Sequence, residues 1–283
     1  MDVSMIDAAG LRIRAIETGT GDRPPVLLVH GVGGWAEHWT EVMPLLAQDG
    51  RRVVAFDLPG FGASERPAAP QYFATPSFYA TVVDAVRARL GLERPHLIGH
   101  SLGGGIAFVS AVSHPARYRS LTLVAPGGLG TNIALLLRIM SLPGAALLAV
   151  LGGRRMNRRA LRSCFADPAR IPPHLFAEAE RYAGTSAESL RVMRAVATIR
   201  GVRPALRSGW ITRAPEYSGP SLVVWGRRDV VVPVEHAAAV GTVLPRAGLE
   251  LIDDAGHLVM AERPVQFVAA VTPFLARADR SDG

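Results

Sequence analysis

The sequence contains no lysine: all 31 of its basic residues are arginine. Schiff-base chemistry and a lysine general base are thereby excluded, because arginine stays protonated throughout the accessible pH range. There is a single cysteine, Cys164. It rules out an internal disulfide and a cysteine-based zinc site, and in its predicted helix it reads as a structural thiol. The N-terminal stretch Met1–Asp7 has neither a basic region nor an apolar run, so no signal peptide is expected and the cytoplasm is the predicted location. Aromatic residues make up only 6% of the chain and do not interleave with the arginines. No recognisable nucleic-acid module accompanies the net charge of +7, so nucleic acid is not the expected partner.

What the chain does have is length and apolar content: 283 residues, 49% hydrophobic and 19% charged. That suffices for one large α/β domain carrying an insertion, or for two ordinary domains. Gly99-His100-Ser101-Leu102-Gly103 lies between an apolar strand-like run ending at Ile98 and the apolar helix-like run Ile106–Val109. A serine with glycine two positions to either side, at a strand-to-helix junction, has the form of a nucleophile elbow. Side chains at Gly99 and Gly103 would collide with the neighbouring strand and helix. The helix N-terminus behind Ser101 favours negative charge.

Along the chain, residues 11–16 alternate with period two, as a half-exposed strand does. Residues 25–30 form a continuous apolar run, the signature of a strand covered on both faces of a parallel sheet, 52–57 read as the next buried strand and 121–125 as a further strand. Helical spacing covers residues 39–48, 78–90 and the stretch from the elbow to about His114. The strands resume at 222–225 and 249–252, with helices predicted at 234–243 and 265–276 and a frayed tail from Asp279. Such alternation means a mostly parallel sheet with helices on both faces.

Between Gly127 and Thr212 the alternation stops and no convincing strand is seen. Helices are predicted at 132–141, 144–151, 157–165, 173–183, 186–200 and 202–208, the fifth opening on the capping pattern Thr185-Ser186-Ala187-Glu188. The organisation expected is therefore a core of residues 1–126 and 213–283 with a helical cap of residues 127–212. Asn132–Leu151 is apolar enough to raise a membrane span, but Arg138 and the Pro143-Gly144 break argue against one. The cap carries 13 arginines and 4 acidic residues, a net charge of +9, against −2 for the rest. Its arginines read as a solvated outer face, with an anionic or amphipathic ligand as the alternative. Its apolar first half, residues 133–140 and 145–151, is expected to line an acyl pocket.

A serine hydroxyl needs a base, and the base needs an orienting group. Open parallel sheets present their sites at the carboxyl ends of the strands. His257 and Asp229 both lie just past such ends, after Ile252 and Trp225-Gly226. The order Ser101, Asp229, His257 is nucleophile, acid, base. Asp57 also follows a strand, but its Asp-Leu-Pro-Gly setting points to turn hydrogen bonding. Asp253 and Asp254 are expected to shape the loop of His257. His100 is expected to point away from the Ser101 hydroxyl, His30 to brace the glycine loop, and His114 to be structural. The oxyanion donors expected are the N–H groups of Leu102 and of Val32, with Gly31 and Gly33 letting the backbone approach the substrate.

With these motifs, the sequence resembles the capped, serine-nucleophile α/β-hydrolases. The residues that carry the resemblance are 30–34, 57–64, 99–104, 225–233 and 255–257. The resemblance implies the α/β-hydrolase fold: eight mostly parallel strands, the second antiparallel, with a cap after the sixth. It also implies a serine mechanism needing no cofactor or metal, and a small-molecule ester as partner. Family members that act as dehalogenases and epoxide hydrolases use aspartate where Ser101 stands. Carbon–carbon hydrolases of ring-cleavage products use serine, but their pattern has asparagine and tryptophan where His100 and Leu258 stand here. A carboxylesterase or lipase-like activity is the first reading. Carbon–carbon, thioester, lactone and perhydrolase chemistry are alternatives, and a non-catalytic receptor is a distant one.

Overall fold

The computed structural model describes residues 1–67, 75–145, 155, 157–182 and 186–280. One eight-stranded sheet runs through it: β1 (Asp2–Ala8), β2 (Leu11–Thr18), β3 (Arg23–Val29), β4 (Arg51–Phe56), β5 (His96–His100), β6 (Ser120–Val124), β7 (Ser221–Gly226) and β8 (Gly248–Ile252). Their order in space is β1-β2-β4-β3-β5-β6-β7-β8. β2 runs antiparallel to both its neighbours, and every other pairing is parallel.

Period-two alternation divides each central strand between two cores. Leu27, Val29, Val54, Phe56 and Leu97 face the layer holding the helices Pro76–Arg89 and Leu102–Ser113. Val26, Leu28, Val53, Ala55 and Ile98 face the layer holding Met43–Ala47 and Pro264–Arg280. Both sets are fully buried, which is why these strands read as unbroken apolar runs. The parallel register aligns Val29 with Phe56 and Gly99, and His100 with Val124. The residues just past those ends, His30, Asp57 and Ser101, therefore emerge along one edge of the sheet.

Several expectations change. β1 precedes the first strand expected, and its outer face is exposed, which hides its period in composition. The helix expected at 39–48 is two short pieces, a 3-10 turn Ala36–Trp39 and the helix Met43–Ala47. The helix expected at 234–243 begins as the 3-10 segment Val234–Ala239. The helix expected at 186–200 stops at Val196, and a minimal hairpin pairs Ala197–Thr198 with Gly201–Val202, so this region does hold strands. Gly201 (φ +118°) makes that turn, and Thr131 O accepts from Val202 N at 2.9 Å. Most of the helix expected at 144–151, and Thr185 of the capping pattern, lie outside the described residues.

The tail expected to fray does not do so at Asp279. Its carboxylate accepts from Arg51 Nη2 at 2.6 Å and Arg23 Nη2 at 3.0 Å, and meets His96 Nε2 at 2.9 Å. These charges hold its pKa down at about 2 and fasten the C-terminal helix across the amino ends of β3, β4 and β5. No helix among the described residues is long and apolar enough to cross a membrane.

Candidate active site

Ser101 has φ +54° and ψ −116°, a conformation that costs a non-glycine residue on the order of 1–3 kcal/mol. The strain is held from both sides. Ser101 N donates to Val124 O at 2.8 Å, and Ser101 O accepts from Gly104 N at 3.0 Å and Gly127 N at 3.1 Å. The elbow closes only without side chains at its flanks. A Cβ on Gly103 would stand 2.4 Å from Val29 O, and one on Gly99 2.2 Å from Gly103 O. Leu102 opens the following helix, so its N–H has no intrahelical acceptor.

Asp229 and His257 meet across 28 residues of sequence, Asp229 Oδ2 lying 2.7 Å from His257 Nδ1. Asp229 is held by three further donors: Trp225 Nε1 on Oδ2 at 3.1 Å, and Val231 N and Val232 N on Oδ1 at 2.8 and 2.9 Å. The turn after β7 thus wraps its own backbone around the carboxylate and leaves one oxygen facing the imidazole.

Asp57 belongs to a different network. It accepts from Ala36 N at 2.8 Å, Ala63 N at 2.9 Å and Arg14 Nη1 at 3.2 Å, and ties the loop after β4 to the loop after β3. His30 braces the same two loops. Its Nδ1 donates to Gly31 O at 2.7 Å and its Nε2 accepts from Leu58 N at 2.9 Å. Complete burial keeps this ring neutral, with its pKa lowered to about 4. Asp253 and Asp254 pair at the surface with Arg227 and Arg228. His114 caps the end of the elbow helix.

A cavity of about 610 Å³ reaches Ser101 and His257. Ser101, His257, Gly31, Val32 and Gly33 line its floor. Leu136, Leu137, Ile139 and Met140 from the segment after β6 form an apolar wall. Leu135, in the same helix, instead points outward at 65% exposure. Leu102, whose N–H is an expected oxyanion donor, is not among the residues that line the cavity. Cys164 also lines the cavity, its thiol donating to Ala160 O at 3.3 Å and pushed up by burial to about 12. Among the described residues no group of His, Cys, Asp or Glu is placed to hold a metal ion.

Trp35, His38 and His100 are among the lining residues that did not stand out in the sequence as such. Trp35 and His38 lie three positions apart at a 3-10 turn, where such residues eclipse, and their rings meet at a tilt of 53° with centroids 4.5 Å apart. That spacing was the one available signal. His100 keeps its ring near His257, centroids 4.5 Å apart.

A sequence model described as the alpha/beta hydrolase fold matches residues 24–264. A 2-hydroxymuconate semialdehyde hydrolase from a Pseudomonas species is 30% identical over 97% of this chain and 94% of its own length. An uncharacterized Mycobacterium tuberculosis protein is 31% identical over 90% of this chain and 76% of its own. Among solved structures, a bacterial membrane phospholipase A superposes with a TM-score of 0.84 at 26% identity, covering 99% of this chain and 87% of that one.

Proposed function

This chain belongs to the alpha/beta-hydrolase family, and from that premise we propose that it is a serine hydrolase that cleaves carboxylic esters of hydrophobic acyl groups through an acyl-enzyme. The observation that carries the reading is the Asp229–His257 contact of 2.7 Å beside a strained Ser101 on the floor of an apolar-walled cavity.

In this reading His257 takes the Ser101 proton as Oγ attacks the ester carbonyl. Asp229 holds the imidazole with Nδ1 protonated, so that Nε2 is the base, and stabilises the cation that forms. The N–H groups of Val32 and Leu102 receive the tetrahedral oxyanion. His257 then protonates the departing alkoxide as the C–O bond breaks. Water, deprotonated by His257, attacks the acyl-enzyme and releases the acid and Ser101. Residues 127–212 act as the cap that supplies the acyl wall.

Carbon–carbon hydrolysis is the second reading, favoured by the 30% identity to the semialdehyde hydrolase over nearly the whole chain. A muconate-type substrate carries a carboxylate. The described residues lining the cavity include no arginine, and the histidines His38 and His100 are kept neutral by burial. A buried carboxylate without a counter-charge is costly, which favours a neutral ester. The test is a panel of nitrophenyl esters and a vinylogous 1,5-diketone acid, with a fluorophosphonate probe. The ester reading expects ester turnover, one label on wild type and none on Ser101→Ala, whose turnover falls by about 10⁴–10⁶-fold. Preferred turnover of the diketone acid, or label elsewhere than Ser101, overturns it.

A further inference from the structure

The carboxylate of Glu262 takes no part in the steps above, yet it is buried beside them. It closes the short helix Val259–Glu262 and is 3% exposed. Taking a carboxylate out of water is costly unless donors replace the water. Here backbone N–H groups do so. Gly256 N and Ala166 N donate to Oε2 at 2.7 and 3.0 Å, and Asp167 N donates to Oε1 at 2.7 Å. Gly256 is the residue before His257. Ala166 and Asp167 belong to the segment proposed as the cap, 96 and 95 residues back along the chain. Hydrogen bonds to a charged acceptor are about twice as strong as neutral ones, so one side chain joins the two segments firmly.

The two segments lie directly on each other. A Cβ on Gly256 would stand 2.7 Å from both Ala166 N and Cys164 O, so the backbones meet only because that position is glycine. On the far side of His257, Leu258 N donates to Cys164 O at 3.0 Å. Between them, His257 O accepts from His100 Nε2 at 3.0 Å. Leu161 and Phe165 share a buried cluster with Leu258, Val259 and Met260, so the seam is apolar as well as hydrogen-bonded. Cys164 and Leu258 line the cavity beside His257.

A side chain that only fastened the cap could sit anywhere along this seam. Glu262 instead shares one oxygen between the cap segment and the residue before the proposed base. We propose that Glu262 is a positioning residue: it seats His257 by binding its loop to the segment Cys164–Asp167, and so holds the imidazole in register with Asp229 and Ser101. It touches no reacting atom and acts through His257. The cap segment is then part of the catalytic geometry as well as a wall of the pocket. The inference rests on the serine-hydrolase reading and adds the group that aligns its base.

The test reads the rate at which a fluorophosphonate labels Ser101, beside kcat and KM on nitrophenyl butyrate. Glu262→Gln keeps the shape of the side chain but turns an amide donor toward backbone N–H groups. It should slow labelling and kcat by about 10–100-fold, the cost of a misplaced catalytic group, with KM little changed. A purely structural residue would lower the melting temperature and leave both rates of the folded protein as they were. In a His257→Ala background the same substitution should change the residual rates by less than about twofold, because the base it aligns is gone. Should Glu262→Gln not fold, Glu262→Asp, which keeps the charge and shortens the reach, carries the same expectations. Wild-type rates in the folded variant, or an equal loss with and without His257, overturn the proposal and leave the ester reading standing. Labelling at Ser101 without ester turnover is failure of the ester reading, and the labelling rates then decide the role of Glu262. Wild type that neither labels at Ser101 nor turns over the ester overturns both.

Discussion

His100 holds His257 by its backbone: the His100 ring donates from Nε2 to the His257 carbonyl at 3.0 Å, with the two rings 4.5 Å apart. The residue before the proposed nucleophile thus anchors the residue proposed as its base. His100→Phe keeps the ring volume and removes the donor. It should lower kcat on nitrophenyl butyrate by up to about tenfold, the scale of one hydrogen bond. Full retention of kcat with the protein folded would show that this contact does not position the base.

The two buried aspartates should separate cleanly. Asp229→Asn presents the wrong partner to His257 Nδ1 and should cut kcat by about 10⁴-fold with little change in melting temperature. Asp57→Asn weakens contacts to Ala36 N, Ala63 N and Arg14. It should cost about 1–3 kcal/mol of stability, with kcat within tenfold of wild type. Activity assays beside thermal melts check both, and the reverse pattern would move the acid to Asp57.

The glycine loop offers a steric test. A Cβ on Gly31 would stand 2.9 Å from Ser101 Cβ, a backbone-anchored neighbour with nowhere to go. Gly31→Val should therefore abolish turnover, whereas Val32→Ala, which keeps the proposed N–H donor, should be mild. Equal kcat values in the two folded variants would argue against this loop lining the site.

The apolar wall should set chain-length preference. Each buried methylene contributes up to about 0.8 kcal/mol, so kcat/KM should rise from nitrophenyl acetate toward hexanoate. Leu136→Ala and Leu137→Ala should shift the optimum to longer chains. A steady fall from acetate onward, or an unmoved optimum in both variants, would assign these residues to packing alone.

Acid should destabilise the fold through its buried histidines. Burial lowers His30 and His96 to about 4 and His38 to about 3, from the ordinary 6.5. A histidine buried neutral contributes stability that is complete above about pH 6.5 and is lost as pH falls toward its folded value. Asp279 acts in a lower window, between 3.8 and about 2. Urea midpoints should therefore drop between pH 7 and 4.5, and His30→Asn should reduce the slope by about one proton. A flat midpoint over that range would contradict the burial of these rings.

The elbow around Ser101 and the alternating core were legible in the sequence because local rules write them. Strands covered on both faces must be apolar at every position, and a tight strand-to-helix turn must have glycine at its flanks. The order of Ser101, Asp229 and His257 after strand ends was legible for the same reason. β1 was not, because an edge strand with an exposed face carries no such pattern. Nor was the hairpin after Val196, where two residues per strand leave no period to read. The clamp on Asp279 joins positions 183 and 228 residues apart, and the turn holding Trp35 and His38 comes to line one cavity with His100. Such contacts are chosen by the packing of distant segments, and only the tertiary structure decides which buried polar atoms find partners.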